Sequence, residues 1–428
     1  MGYCSQEYGK LIEELFEKHP TVQKDGFTAG AYKPGLEGMT AFDAALGHPW
    51  KRFRCIHVAG TNGKGSVSSM VATALAASGL RVGLYTSPHL LDFRERMKII
   101  RKDDGLSARM VSKEYVYDFL KNTEVGGLSF FEITTGLAFK WFADCGVDVA
   151  VIEVGLGGLL DSTNIIMPEL GIVTSIGLDH CALLGNTRAE IAAQKAGIFK
   201  PGVPALVWGH DAETDDVFRR IAGGKGAPLH FADSMDIGMD EAEFETMLAG
   251  LDLQGPCQRI NLRTALAALK LLGFSAYGES LLHTAEATGF HGRWEKLSDK
   301  PEAICDIGHN PAALKTNFAR LESLGRPLKI VYGIMADKDL DGIAPLMPSD
   351  ADWILVAPAT SRSLGAESLQ ARLSGLRPEL HTRTSASVAE GVELAFREAE
   401  SIPGSLVYVG GSTFVVSEAV EFLNSRSL

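Results

Sequence analysis

The residues best placed to do chemistry lie in the stretch HVAGTNGKGS, positions 57 to 66. Gly60, Gly63 and Gly65 let a backbone turn sharply and come close to an anion. With Thr61 and Asn62 between them, they form a candidate nucleotide loop whose N–H groups point at phosphate oxygens. Lys64 adds a full positive charge where the β- and γ-phosphates would lie. In the usual phosphate loop Ser or Thr directly follows the lysine. Here Gly65 intervenes, and the hydroxyl comes at Ser66, which is expected to open the next helix and face Mg²⁺. A plain strand-to-helix turn capped by Ser66 is the alternative, but a cap does not need three glycines around one lysine.

Further side chains carry groups suited to metal or substrate binding. Glu153 ends the apolar run VDVAVIEV, where parallel sheets place ligands, and a hard oxygen donor suits Mg²⁺. Capping a nearby helix is its ordinary role. His180 closes the run LGIVTSIGLDH. A lone histidine is more often a hydrogen-bonded structural residue, imidazole is a poor first choice for Mg²⁺, and Asp179 beside it competes for the role. Lys195, in EIAAQKAGIF, reads as a solvated helix lysine, and Ser87, in TSPHL, as a turn residue before Pro88. Phe130 and Phe131, adjacent in SFFE between Ser129 and Glu132, cannot both face one core, so one of them could stack on a flat ring.

These residues must be positioned by alternating strands and helices. FRCIHVA is a continuous β-branched strand before the loop. Val67, Met70, Val71, Ala74 and Leu75 give the following helix one apolar face, stopped at Gly79. RVGLYTS, VDVAVIEVG, LGIVTSIG and VPALVWG read as further strands, and the strand–helix–strand unit predicts a parallel sheet. Residues 7 to 19 read as a short helix ended by Pro20, with a glycine-rich connection over 24 to 39. From 290 the pattern restarts, with strands expected in EAICDIG, LKIVYGIM, DWILVAP and SLVYVGGS. The expected fold is α/β: an N-terminal parallel-sheet P-loop ATPase domain over 1–290, then a smaller Rossmann-like α/β domain over 291–428.

The chain has 428 residues, 46% hydrophobic and 22% charged, with a net charge of −12. That balance argues against broad nucleic-acid binding, so an anionic ligand must be held by a local site. No apolar run is long enough for a membrane span, and the N-terminus reads as neither a secretory signal nor a myristoylation site. The six cysteines are scattered with no CxxC pair, as in a reducing cytoplasm.

HVAGTNGKGS resembles the ATP loop of the Mur ligase superfamily, and its extra glycine resembles the folate branch, the dihydrofolate and folylpolyglutamate synthases. TSPHL, FFEITT, EVGLGGLLDSTN, GLDH, KAGIFKPG, GRWE, DIGHNP and GIMADKD follow in the family's order over nearly the whole chain. The resemblance implies that Ser87, Glu153 and His180 bind two Mg²⁺ ions, joined by a Lys195 that CO₂ has carbamylated. That modification needs a neutral amine, hence a depressed pKa. It implies ATP contacts from Asn261, Arg293, Asp306 and His309, although an interdomain salt bridge is the simpler role for Arg293. Ser129, Phe130, Phe131, Glu132, Leu160, Asp161 and Ser162 match the segments that hold a pterin-bearing substrate. The family's GGRLDATN carries Arg where this chain has Leu159.

The implied reaction is ATP-dependent amide formation through an acyl phosphate, joining L-glutamate to a dihydropteroate or reduced-folate carboxylate, with Lys64, Lys195 and His180 as the catalytic set. Partners are small molecules only, and the expected state is a cytoplasmic monomer. A muramyl-type UDP-sugar ligase is the nearest rival, although only about 50 residues precede the first strand. A nucleotide-dependent switch is the rival from another class.

Overall fold

The computed structural model describes residues 5–19, 35–275 and 278–426. It forms two compact units, one of residues 1–252 with 258–290, the other of 253–257 with 291–428. The exchanged segment, Leu253–Cys257, joins the second unit through contacts such as Cys257 Sγ with Thr316 Oγ1 at 3.5 Å. Of the expected connection over 24 to 39, residues 24–34 lie outside the described part, as does Pro20. Its end is not a loop, because Glu37–Ala45 is a helix.

The first unit is built on eight strands: β1 Arg54–Ala59, β2 Val82–Tyr85, β3 Met97–Ile100, β4 Arg109–Met110, β5 Val149–Glu153, β6 Leu170–Val173, β7 Ala205–Val207 and β8 Leu229–Phe231. Their order is β4-β3-β2-β5-β1-β6-β7-β8. The six strands from β2 to β8 are parallel, while β3 and β4 add an antiparallel edge that the sequence pattern does not announce. Strands covered on both faces read as mostly apolar runs, which is why β1 and β5, buried along almost their whole length, are visible in the sequence.

One face carries the helix Phe130–Asp144, whose aromatics join Phe53, Tyr85 and Phe93 in a large core. The other carries Lys64–Ala77, buried from Gly65 to Ala76, packed against Gln258–Leu271 and the sheet. A helix buried on every side cannot keep a polar face, and this one is built from small and apolar residues with inward serines.

The second unit has six strands: β9 Glu295–Asp299, β10 Glu302–Asp306, β11 Leu328–Tyr332, β12 Ala351–Leu355, β13 His381–Thr384 and β14 Leu406–Gly410. They run β13-β12-β11-β14-β10-β9, parallel except for β9. Trp353, Tyr332, Tyr408 and Phe318 interlock in its core.

Candidate active site

The central strand β1 lies between β5 and β6, so the loop that leaves its carboxyl end is flanked by two strand ends. The helix after the loop begins at Lys64, with Gly63 as N-cap at φ 86°. Ser66 is therefore its third residue and fully inside it, not its opening residue as expected, because Gly63 already makes the left-handed turn. The loop is braced from β6. Thr61 N donates to Ser175 O at 2.7 Å, and Thr61 Oγ1 both donates to Gly177 O and accepts from Gly177 N. Thr174 Oγ1 and Ser175 Oγ donate to Asn62 O at 2.7 and 3.1 Å. The Asn261 side chain packs on Gly63 and donates to Gln258 Oε1 at 2.9 Å. Lys64 folds over the loop, its ammonium donating to Gly60 O and Thr61 O at 3.1 and 3.2 Å. A phosphate would compete for that ammonium with two neutral carbonyls.

Below the loop lies a small recess. Gly60, Thr61, Lys64, Asp179, His180 and Lys195 line it, with backbone walls from Val154 to Gly157. Lys195 ends the helix Arg188–Lys195 and is buried, with Nζ donating to Gly60 O at 2.8 Å. Burial and the neighbouring Lys64 pull its pKa down to about 7, against the opposing pull of Asp179 and Asp161. The solvated lysine read from the helix pattern is thus replaced by a buried amine, half neutral near neutral pH.

His180 does not close a strand. Strand β6 stops at Val173, and the apolar run continues as loop because Thr174 to Gly177 turn to brace the phosphate loop. His180 instead caps a one-turn helix, Cys181–Leu184, with φ 53°, and its Nε2 lies 3.8 Å from Asp179 Oδ2.

Glu153 does end β5. It is buried, and its Oε2 accepts from Ser87 N at 3.1 Å. The structure therefore sets Glu153 and Ser87 side by side, and puts His180 and Lys195 together on the recess. Among the described residues no three His, Cys, Asp or Glu side chains cluster as a ready metal site. The bracing of the segment that follows Ser87 was missed by sequence reasoning. Glu95 accepts three backbone N–H groups, from Leu90, Leu91 and Asp92, and buried Arg96 donates to His89 Nδ1 at 2.8 Å. An acid and a base adjacent in FRERM, just after a proline turn, were the only available signal.

The expected acceptor residues divide. Ser129 and Glu132 satisfy each other in a buried capping box at the head of Phe130–Asp144. Phe130 is core, with the Arg96 guanidinium 5.2 Å from its ring centre. Phe131 is half-buried, its ring against Gly155. Asp161 is buried and spent on its own loop, accepting from Leu156 N, Thr163 N and Thr163 Oγ1. Burial raises its pKa against those hydrogen bonds. Leu160 is exposed beside exposed Leu159, and Ser162 opens a short 3₁₀ turn.

In the second unit, Asp306 ends β10. It is buried, and its carboxylate accepts from Trp294 N, Gly308 N and Asn317 Nδ2. Burial raises its pKa, and the nearby Arg293 opposes the rise. Arg293 is half-buried, and His309 Nδ1 hydrogen-bonds to Ile307 O. These three residues thus share one strand end.

The fold and this loop define a two-unit α/β protein with a phosphate-loop first domain. Residues 58–236 match the Mur ligase middle domain, and 292–413 match the Mur ligase glutamate ligase domain. A folylpolyglutamate synthase of Lacticaseibacillus casei is 32% identical over 87% of this chain and 90% of that one. A protein of Haloferax volcanii named "probable bifunctional folylpolyglutamate synthase/dihydropteroate synthase" is 33% identical over 90% of this chain, which spans 48% of that longer protein. Among solved structures, E. coli FolC in complex with DHPP and ADP superposes with a TM-score of 0.82, at 29% identity and 98% coverage of both chains. A bifunctional folylpolyglutamate synthase/dihydrofolate synthase with Mn, AMPPNP and L-glutamate bound gives 0.76, at 29% identity over 92% of this chain and 95% of that one. The chain belongs to the Mur ligase family, in its folylpolyglutamate synthase/dihydrofolate synthase branch.

Proposed function

We propose that this chain is an ATP-dependent ligase that joins L-glutamate to the carboxylate of a dihydropteroate or a reduced folate through an acyl phosphate. The observation that carries the reading is the convergence of Lys64, His180 and Lys195 on one recess beneath the glycine loop. The loop N–H groups and Lys64 bind the phosphates, with Asn261, Arg293, Asp306 and His309 as further nucleotide contacts. The acceptor lies along Ser129 to Glu132 and Leu160 to Ser162, where the Phe131 ring is the surface for a flat heterocycle. Ser129, Glu132 and Asp161 act by shaping those segments, since their polar atoms are already engaged locally.

The donor set fits a hard divalent cation only in part as it stands. Glu153 is a buried carboxylate and Ser87 its neighbour, while Lys195 becomes an oxygen donor only as a carbamate. Its depressed pKa supports that chemistry, since the neutral amine is the form that takes up CO₂. Ser87, Glu153, His180 and carbamylated Lys195 would together hold two Mg²⁺ ions, which when bound offset charge on the transferred phosphoryl group.

We place the protein in the cytoplasm as a monomer acting on small molecules. Among the described residues no helix is long and apolar enough to cross a membrane. The test is ADP release with ATP, glutamate and each acceptor in turn, with mass spectrometry of the products. Glutamate-dependent ADP and a product heavier by one glutamyl unit are expected. ADP release indifferent to glutamate would sink the ligase reading in favour of a nucleotide switch.

A further inference from the structure

Three glycines shape the phosphate loop, and two of them have a backbone reason. Gly60 sits at φ 151° and Gly63 at φ 86°, where L side chains are strained. Gly65 has no positive φ and lies within the helix Lys64–Ala77, where glycine is among the least favourable residues. Its reason is a neighbour. A Cβ at position 65 would stand 2.7 Å from Cζ and 2.9 Å from Cε2 of Phe290, and 3.6 Å from Glu153 Oε2.

Phe290 is the last residue of the first unit, and the backbone that carries it is pinned. Its N–H donates to Ala285 O at 3.2 Å. Just before it, the buried Lys98 of β3 donates to Thr288 O and Gly289 O at 2.7 and 2.9 Å. Gly289 itself is left-handed, at φ 55°. The ring is therefore held against the first turn of the phosphate-loop helix from a fixed base.

We propose that Phe290 is a positioning residue for the nucleotide loop. Its ring fills the place that a side chain directly after Lys64 would take, and it holds the Gly65 and Ser66 N–H groups in their anion-facing orientation. The displaced hydroxyl follows: position 65 must be glycine for the ring, so the hydroxyl moves to Ser66. Phe290 acts through position 65 rather than by touching the nucleotide. The inference rests on the loop being a nucleotide site.

The experiment is a double-mutant cycle of the full chain, wild type, Gly65→Ser, Phe290→Ala and the pair, titrated with MgATP by calorimetry. Gly65→Ser should weaken MgATP about tenfold, and in the Phe290→Ala background the same change should cost under about threefold, the coupling expected of residues in contact. Phe290→Leu, which keeps the bulk, should bind within about threefold of wild type. In turnover, Phe290→Ala should raise KM for ATP while leaving KM for the acid acceptor and the melting temperature unchanged. Equal losses from Gly65→Ser in both backgrounds would overturn the role of Phe290, as would a fall in melting temperature with both KM values rising together. Wild-type protein that binds no MgATP would overturn the nucleotide reading itself, and this one with it.

Discussion

Two buried lysines, one in each unit, meet opposite fates. Lys329 on β11 faces Asp352 across the register of β12, and Glu398 stands 3.2 Å away on the helix Val388–Glu400. Burial alone would lower its pKa, but the two carboxylates reverse that and raise it. Arg383 completes the group with paired 2.7 Å bonds to Glu398. Lys195 is equally hidden, yet its ammonium hydrogen-bonds to a carbonyl, with Lys64 close by, and its pKa falls to about 7. A fold can bury a charge at little cost by surrounding it with opposite charge. Lys195 has a like charge beside it instead, the arrangement in which perturbed groups cluster at functional sites, and this is the basis for proposing it as part of the chemistry.

The contrast can be broken by deleting each lysine. Lys195→Ala should lower kcat about 10²–10³-fold, the range seen when a group that stabilises transition-state charge is removed. Its melting temperature should hold or rise, because an ill-matched buried charge goes with it. Lys329→Met should do the reverse, lowering stability by about 1–3 kcal/mol in urea titration as Asp352 and Glu398 lose their partner, with kcat per folded molecule unchanged. A kcat that survives Lys195→Ala would dissolve the distinction.

A smaller effect sharpens it. From about pH 7 to pH 10 the unfolded chain holds a proton on Lys195 that the folded chain has released, so stability rises with pH across that window, and the full cost of burying Lys195 as a charged group is met below pH 7. Its sign is therefore a gain of stability with rising pH. Lys329 acts with the opposite sign. Its raised pKa gives stability that is present below the unfolded value and is lost only as pH climbs beyond it. Subtracting the urea midpoints of Lys195→Ala from those of wild type at each pH isolates the first trend. A flat difference would mean that the Lys195 amine is protonated in the folded state.

What could be read in the sequence follows the same physics. Strands β1, β5, β11 and β14 are buried on both faces, so their apolar runs were plain. The phosphate loop was legible because strand, glycines, lysine and helix are contiguous. The edge strands β9 and β13, spelled EKLSD and HTRT, and the two-residue β4 carry no such run, because one side of an edge meets water. The run through LGIVTSIGLDH misled for the opposite reason. Its apolar residues continue past β6, but the hydroxyls of Thr174 and Ser175 are diverted to Asn62. Burial of Lys195 was invisible, since helical spacing says nothing of what lies above the last turn. The bracing of Leu90 to Asp92 by Glu95, and the contact of Phe290 with Gly65, join residues in roles or across distances in sequence that no local pattern encodes.

The polarity that concealed β9 and β13 has a use of its own. Among the described residues no strand lies beyond either flank of the second sheet, and each flank carries exposed charge, Lys296 and Asp299 on one and Arg383 on the other. Another chain that tried to extend this sheet would have to strip water from those ions, so the flanks discourage strand-to-strand aggregation at high concentration.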